Sequence, residues 1–322
     1  MSIILLFASI SNGQESFWAK SVSSSQYEYG VATDLDSQGN IFIIGYGTGP
    51  TLTIDSTSYN ANGDGDAFIA KFSPNHQLLW FKTLGGDDAV YYDSGMDIHV
   101  DDNDDVIILV TSAGHNFTYN GQILPGINSP GQYSGEGVII KVDNDGNYLW
   151  HDHGSVSSSF QNVATDAQGS IYLTGWFDGT ITLGDSITMI NNTNGTTTDM
   201  FVAKYNSSGM LQWVRSGGGK LNDAGNGVAV DNAGNVIVTG QFSDTAHFGT
   251  TTLTSMIEPV SGLSSVDVFT CKYDVNGNLL WAKKGSGKYT DVGVDVGCDA
   301  ANNIYVTGQF SDTVTFGSVH NN

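Results

Sequence analysis

The chain has 322 residues, of which 39% are hydrophobic and only 14% charged, with 33 acidic against 11 basic side chains and a net charge of −22. That balance repels phosphate backbones and anionic lipid headgroups, so it excludes nucleic acid and acidic membrane surfaces as partners and leaves cations attractive. With so few charges and 41 glycines, the surface must be carried by Ser, Thr, Asn and Gly. Gly, Asn and Asp in turns, with Val, Ile, Thr and Tyr in runs, predict an all-β chain.

Residues 1–14 (MSIILLFASISNGQ) open the chain with an apolar run too short to span a bilayer. The run looks like the core and end of a secretory signal peptide, with small residues before a cut near Gly13 or Gln14, although the basic lead is missing. The competing reading is a buried N-terminal strand. No other segment could be transmembrane, so membrane insertion is not expected.

Phe17-Trp18-Ala19-Lys20 follows and matches Leu280-Trp281-Ala282-Lys283, which predicts a lone outer strand over 17–25. Four similar units come next, at about 27–86, 92–154, 160–219 and 223–287, and a partial one at 291–322. The cleanest copy, Gly225 to Gly285, reads as four strands. Gly227–Asp231 alternates small and apolar residues. Asp231–Asn235 is a tight turn, because Asp starts Asx geometry and Gly and Asn tolerate positive φ. Val236–Phe242 is β-branched with period two. After a long polar connection, Asp267–Tyr273 is a third strand, Asp274–Asn278 a second turn, and Leu279–Lys283 a fourth strand.

The first-turn aspartate recurs as Asp36, Asp101, Asp166, Asp231 and Asp299, at spacings of 65, 65, 65 and 68. Second strands carry Gly45, Val110, Gly175, Gly240 and Gly308 nine residues later. Third strands begin at Asp66, Glu136, Asp199 and Asp267 and end at Lys71, Lys141, Lys204 and Lys272. Fourth strands carry Trp80, Trp150, Trp213 and Trp281. A four-stranded sheet cannot bury both faces alone, so the copies must stack. Radial repetition of such sheets predicts a β-propeller in preference to an open solenoid, with four complete blades, a fifth split between the two ends of the chain, and a parent ring larger than this chain.

The pattern G-x-x-V-x-x-D-x-x-G-N-[VI]-x-V-T-G-x-F, followed by D-x-F-x-x-K-[YF]-[DN]-x-x-G-x-L-x-W-[AV]-[KR], resembles the bacterial SBBP (seven-bladed β-propeller) repeat over about Phe17 to Gly317. It departs from that pattern in the second unit, where Val110 replaces the glycine and the Trp-x-Lys is lost. The resemblance implies an extracellular or cell-surface protein and brings no catalytic residue set.

The candidate site residues divide into scaffold and exceptions. Once-per-sheet tryptophans read as packing between blades. The repeated lysines read as stems packed between blades with heads paired to Asp66, Glu136, Asp199 or Asp267. Trp176 is an exception, because its equivalents read as Tyr46, Ser112, Gln241 and Gln309, so Trp176 and Tyr46 are candidate ligand contacts. Asp101, Asn103 and Asp105 present oxygens at alternate positions and are candidate calcium ligands, as an alternative to plain turn chemistry. Asn62–Asp66 shares that pattern, and Asp143–Asn147 begins like a calcium loop but has Gly154 at the twelfth position. His151 and His153 share one strand face but lack a third metal ligand. Cys271 and Cys298 read as small buried residues that could be spatial neighbours.

The long second-to-third connections, about 46–65, 112–135, 176–198 and 241–266, leave from one face and differ between copies. Divergent loops on one face predict a binding face. The expected function is therefore a non-enzymatic secreted or surface binding scaffold for a protein or glycan. A glycan-active enzyme with carboxylates in a central channel and a spacer within a larger adhesin are the alternatives.

Overall fold

The computed structural model describes residues 3–11, 14–63, 65–87, 92–127, 135–184, 187–191, 193, 195, 197–257, 262–316 and 319–320. Every regular element among them is a strand. The chain separates into two compact units, residues 1–151 and 152–322.

In the N-terminal unit the first repeat is an antiparallel meander of Glu28–Leu35, Ile41–Thr48, Gly65–Phe72 and Leu78–Gly85. The second repeat orders Ser94–Val100, Val106–Ser112, Glu136–Val142 and Tyr148–Val156 the same way. In the C-terminal unit the third repeat consists of Ser158–Thr165, Ile171–Asp178, Thr198–Tyr205 and Leu211–Gly219. The fourth consists of Ala224–Val230, Val236–Ser243, Val266–Tyr273 and Leu279–Gly287. Val292–Cys298 and Ile304–Gln309 then pair as the first two strands of a fifth. These are the four-stranded antiparallel blades of a β-propeller.

The turns form for the reason their residues suggest. One carboxylate oxygen of Asp231 accepts the amides of Ala233 and Asn235, both at 2.9 Å. Asp36, Asp101, Asp166 and Asp299 hold their turns in the same way. The second-strand glycine answers a different demand. Each first strand carries a bulge, between Gly225 and Gly227 in the fourth repeat, and a Cβ on Gly240 would stand 2.0 Å from the Ala224 carbonyl oxygen. Gly45, Gly175 and Gly308 face the same obstruction from Tyr29, Ser159 and Val292.

The second and third strands are buried on both faces. Phe42, Ile43 and Ile44 are all fully buried, and alternate residues belong to two different core layers. Cys271 and Cys298 fall in different layers as well, and both are free thiols. Burial pushes the Cys271 thiol up to about 12.

Each long connection contains a short hairpin among its described residues. Thr51–Ile54 with Thr57–Asn60, Thr118–Tyr119 with Gln122–Ile123, Thr180–Leu183 with Ile187–Ile190, and Thr245–Phe248 with Thr251–Thr254 are β-hairpins. Three of them add to the fourth strand of the preceding sheet: Val22 opposite Ile54, Thr118 opposite Gly85, and Gly217 opposite Phe248. Residues 180–190 reach the preceding strand by side chains, with Ser155 Oγ donating to the Thr180 carbonyl and the Gly184 amide donating to Asp152 Oδ2 at 2.9 Å. Val314–Phe316 repeats the device on Leu279–Gly287. An open fourth-strand edge would be a template for aggregation, and these hairpins cover it. The divergent segments therefore carry edge covers, alongside irregular stretches such as residues 113–117.

The strand expected alone at the head is also paired. Ile3–Ser11 lies antiparallel to Gln14–Ser23 along its whole length, from Ile3 opposite Val22 to Ser11 opposite Gln14. That is the place a third strand holds against the fourth in the other repeats.

Candidate functional site

The repeated lysines do not reach the acids that open their own strands. Lys71 stands five residues from Asp66, about 16 Å along an extended strand and on the opposite face. Its ammonium lies 3.3 Å from Asp36, the first-turn aspartate. Lys141 pairs with Asp101 at 2.8 Å and Asp105 at 3.0 Å, and Lys272 with Asp231 at 2.6 Å. Burial alone would raise the Asp231 pKa, but Lys272, Asn235 and the turn amides outweigh it and hold the carboxyl at about 2.

This placement bears directly on the calcium candidates. Asp101 Oδ1 is committed to the amides of Asn103 and Asp105, and Oδ2 to Lys141, whose side chain is almost wholly buried. The cation between Asp101 and Asp105 is a lysine ammonium, and a calcium ion would have to displace it. No cluster of three or more metal-ligating side chains occurs among the described residues.

His151 and His153 are likewise occupied. The Pro125 carbonyl can only accept, so His151 Nε2 carries the proton to it at 2.9 Å, and Nδ1 takes the Tyr148 hydroxyl at 2.7 Å. His153 Nδ1 donates to the Gly154 carbonyl. Asp152 Oδ2 accepts both the Gly184 amide and the Tyr205 hydroxyl.

A second set of acids was missed in the sequence, although its spacing is as regular as that of the turns. Glu28, Asp93, Asp223 and Asp291, with Ser158 in the third repeat, each stand eight residues before a first-turn aspartate. Asp223 Oδ2 accepts the Gly219 amide at 2.7 Å and Oδ1 accepts the Ser243 amide at 3.0 Å. Asp93 binds the Gly86 and Ala113 amides likewise. Each clamp ties the end of one repeat's fourth strand to the end of the next repeat's second strand.

These clamps lie beside the acids that open the third strands. A Cβ on Gly218 would stand 2.5 Å from Asp199 Oδ1 and 2.9 Å from Asp223 Oδ2. Burial, with Asp199 and Asp244 nearby, pushes Asp223 up to about 8, and burial with the charge of Asp93 pushes Asp66 up to about 7. Paired carboxylates with raised pKa values suit acid–base chemistry. Asp66, Asp93, Asp199 and Asp223 are, however, at most 1% exposed, so no substrate reaches them, and the arrangement recurs from repeat to repeat. They are scaffold.

Trp80 and Trp213 pack against the repeat that follows. Trp80 Nε1 donates to the Asn144 carbonyl at 3.2 Å, and Trp213 Nε1 to the Val275 carbonyl at 3.0 Å. Trp176 is half-buried, opposite Ser159 and Met200. Its equivalents by strand register are Tyr46, Thr111 and Gln241, so Thr111 and not Ser112 holds that position.

Tyr46 is part of a larger surface. Its ring stacks on Tyr29 with centroids 4.8 Å apart and planes at 22°. Tyr29 is 50% exposed, and Tyr27, at the same end of the strand, is 61% exposed. Tyr92, 51% exposed, lies over Gly65, where a Cβ would meet its ring at 3.1 Å. Thr48 and Gly65 pair between them, so four tyrosines share one end of the first sheet. The sequence signal for the rest of this surface was the 65-residue repeat of Tyr27 as Tyr92.

No protein-family profile matches the chain. An uncharacterized WD repeat-containing protein of Acanthamoeba polyphaga mimivirus is 25% identical over 339 residues, covering 86% of this chain and 24% of that protein. The chain thus spans about a quarter of the length of the curated relative it matches. Among solved structures, a protein of unknown function from Bacteroides caccae has a TM-score of 0.36 and 10% identity, over 83% of this chain and 85% of that one. The all-strand repeats and the WD-repeat relative make this a β-propeller repeat protein.

Proposed function

We propose that the chain is a non-enzymatic binding module of the SBBP type, secreted or held at a bacterial cell surface, whose first repeat presents a tyrosine surface to a neutral glycan. The observation that carries this reading is the Tyr29–Tyr46 stack with Tyr27 and Tyr92 exposed at the same sheet end. Aromatic rings offer apolar faces to sugar C–H groups and hydroxyls to their oxygens, at small cost in side-chain entropy. A surface low in charge and rich in Ser, Thr and Asn suits an uncharged polymer better than an ionic one.

Retention of the purified chain in native gels containing neutral polysaccharides tests the reading. Tyr27→Ala with Tyr29→Ala should weaken retention by about tenfold while lowering the melting temperature by no more than a few degrees, the loss of the Tyr29–Tyr46 stack. Retention by no polysaccharide, retention unaffected by the double variant, or release of shortened sugars by the wild type would each overturn it.

A further inference from the structure

The lysine position that closes on the first-turn aspartate in the first, second and fourth repeats stays open in the third. Tyr172 donates its hydroxyl to Asp166 Oδ2 at 2.9 Å, and Lys204 Nζ lies instead 5.0 Å from the centroid of the Tyr172 ring. A second partner is missing too. In the first repeat Asn144, from the facing turn, gives Lys71 both its carbonyl and its side-chain oxygen. The equivalent residue facing Lys204 is Val275, whose carbonyl serves Trp213 Nε1 and whose side chain accepts nothing. Among the described residues the Lys204 ammonium has no hydrogen-bond or ion-pair partner, and its one contact is the Tyr172 ring.

Lys204 lines a cavity of about 540 Å³ with Ile187, Gln212, Trp213, Arg215 and Asn276. Lys204 stands opposite Trp213 in the strand register, and Arg215 follows two residues on, so all three share one sheet face. Arg215 is fixed by donating to the carbonyls of Gly277 at 2.7 Å, Val214 at 2.8 Å and Asn276 at 3.1 Å. Three of its five N–H groups are engaged, and its charge stays in place. Of the nearby acids, Asp166 is bound to Tyr172 and its own turn, and Asp274 accepts the Asn276 and Asn278 amides while its charge partly offsets that of Arg215, so Lys204 is the cation with no acid beside it.

We propose that this cavity binds a carboxylate-bearing sugar. Lys204 takes the carboxylate, with Arg215 adding charge from a fixed position. Trp213 and Ile187 border the ring, and the amides of Gln212 and Asn276 take hydroxyls. The volume falls within the range of small-ligand pockets. The net charge of −22 opposes any anion at long range, so binding needs this local pair of cations and should strengthen with moderate added salt. The site is separate from the tyrosine surface and does not depend on it.

Calorimetric titration of the whole chain with tri-galacturonic acid, the matching neutral trisaccharide and sodium acetate tests the assignment. The acidic trisaccharide should bind at least tenfold tighter than the other two probes. Lys204→Met should lose at least tenfold in affinity. Val275→Asn, which returns the amide oxygen that Lys71 enjoys in the first repeat, should also weaken binding while leaving the chain folded by circular dichroism. Tyr29→Ala should have no effect. Equal affinity for the neutral sugar, acetate binding as tightly as the trisaccharide, or full affinity in Lys204→Met would each overturn the proposal.

Discussion

Lys272 in the fourth repeat and Lys204 in the third hold one position of the repeat, and their surroundings differ by very little. Lys272 has Asp231 at 2.6 Å. Lys204 has a tyrosine ring between itself and the equivalent aspartate. In the fourth repeat the strand opposite carries Ile237, which cannot hydrogen-bond to the turn; in the third it carries Tyr172, which can. One hydroxyl thus converts a structural ion pair into an available cation. A repeat position reads as scaffold wherever its partner recurs, and becomes a functional candidate where the partner has been taken away.

The largest effect that would break this comparison is the loss of a paired lysine. Lys141→Met strands Asp101, whose side chain is fully buried, and should cost about 3–5 kcal/mol in chemical denaturation, whereas Lys204→Met should stay within about 1 kcal/mol. Equal costs would mean that the lysine position does the same work in every repeat.

Next in size is the bulge glycine common to both repeats. Gly240→Ala drives a methyl group into the Ala224 carbonyl and should cost about 1–3 kcal/mol, measured as a shift in denaturation midpoint. Gly175→Ala should match it, since the obstruction from Ser159 is equally close.

Smaller again is the pH dependence of the buried acids. Asp66 and Asp223 have folded pKa values of about 7 and about 8, above their ordinary 3.8. The unfolded chain gives up these protons first, so their contribution to stability is complete below about pH 4 and is lost as pH rises toward 7 and 8. Asp231, held at about 2, runs the other way: its contribution is present above about pH 4 and is lost as pH falls toward 2. The melting temperature should therefore fall from about pH 5 to about pH 8, and Asp66→Asn should flatten that fall. An unchanged slope in the variant would show that the buried pairs do not titrate in this window.

Much of the fold was legible in the sequence. The turns at Asp36, Asp101, Asp166, Asp231 and Asp299 are set by side chains bonding to amides two and four residues away, and period-two runs of Val, Ile and Phe define the strands between them. Tyr46 was legible only through Trp176, the aromatic residue at the same repeat position, where the fourth repeat carries Gln241. The site around Lys204 was not, because the partner that sets each repeated lysine is a turn aspartate more than thirty residues away in the chain. The clamp acids have no local signature for a related reason, since Asp93 and Asp223 bind amides on either side of a junction between repeats.

The sequence by itself thus determined strands, turns, their order and the 65-residue period, because each depends on residues only a few positions apart. Only the tertiary structure decided which carboxylate each lysine meets, that the divergent connections carry hairpins sealing the preceding sheet, and that Lys204 faces a cavity. Those outcomes depend on groups that sheet packing brings together across a repeat or more. Arg215 and Gly277, 62 residues apart in the chain, are 2.7 Å apart in space, and nothing in the local pattern of either residue states that distance.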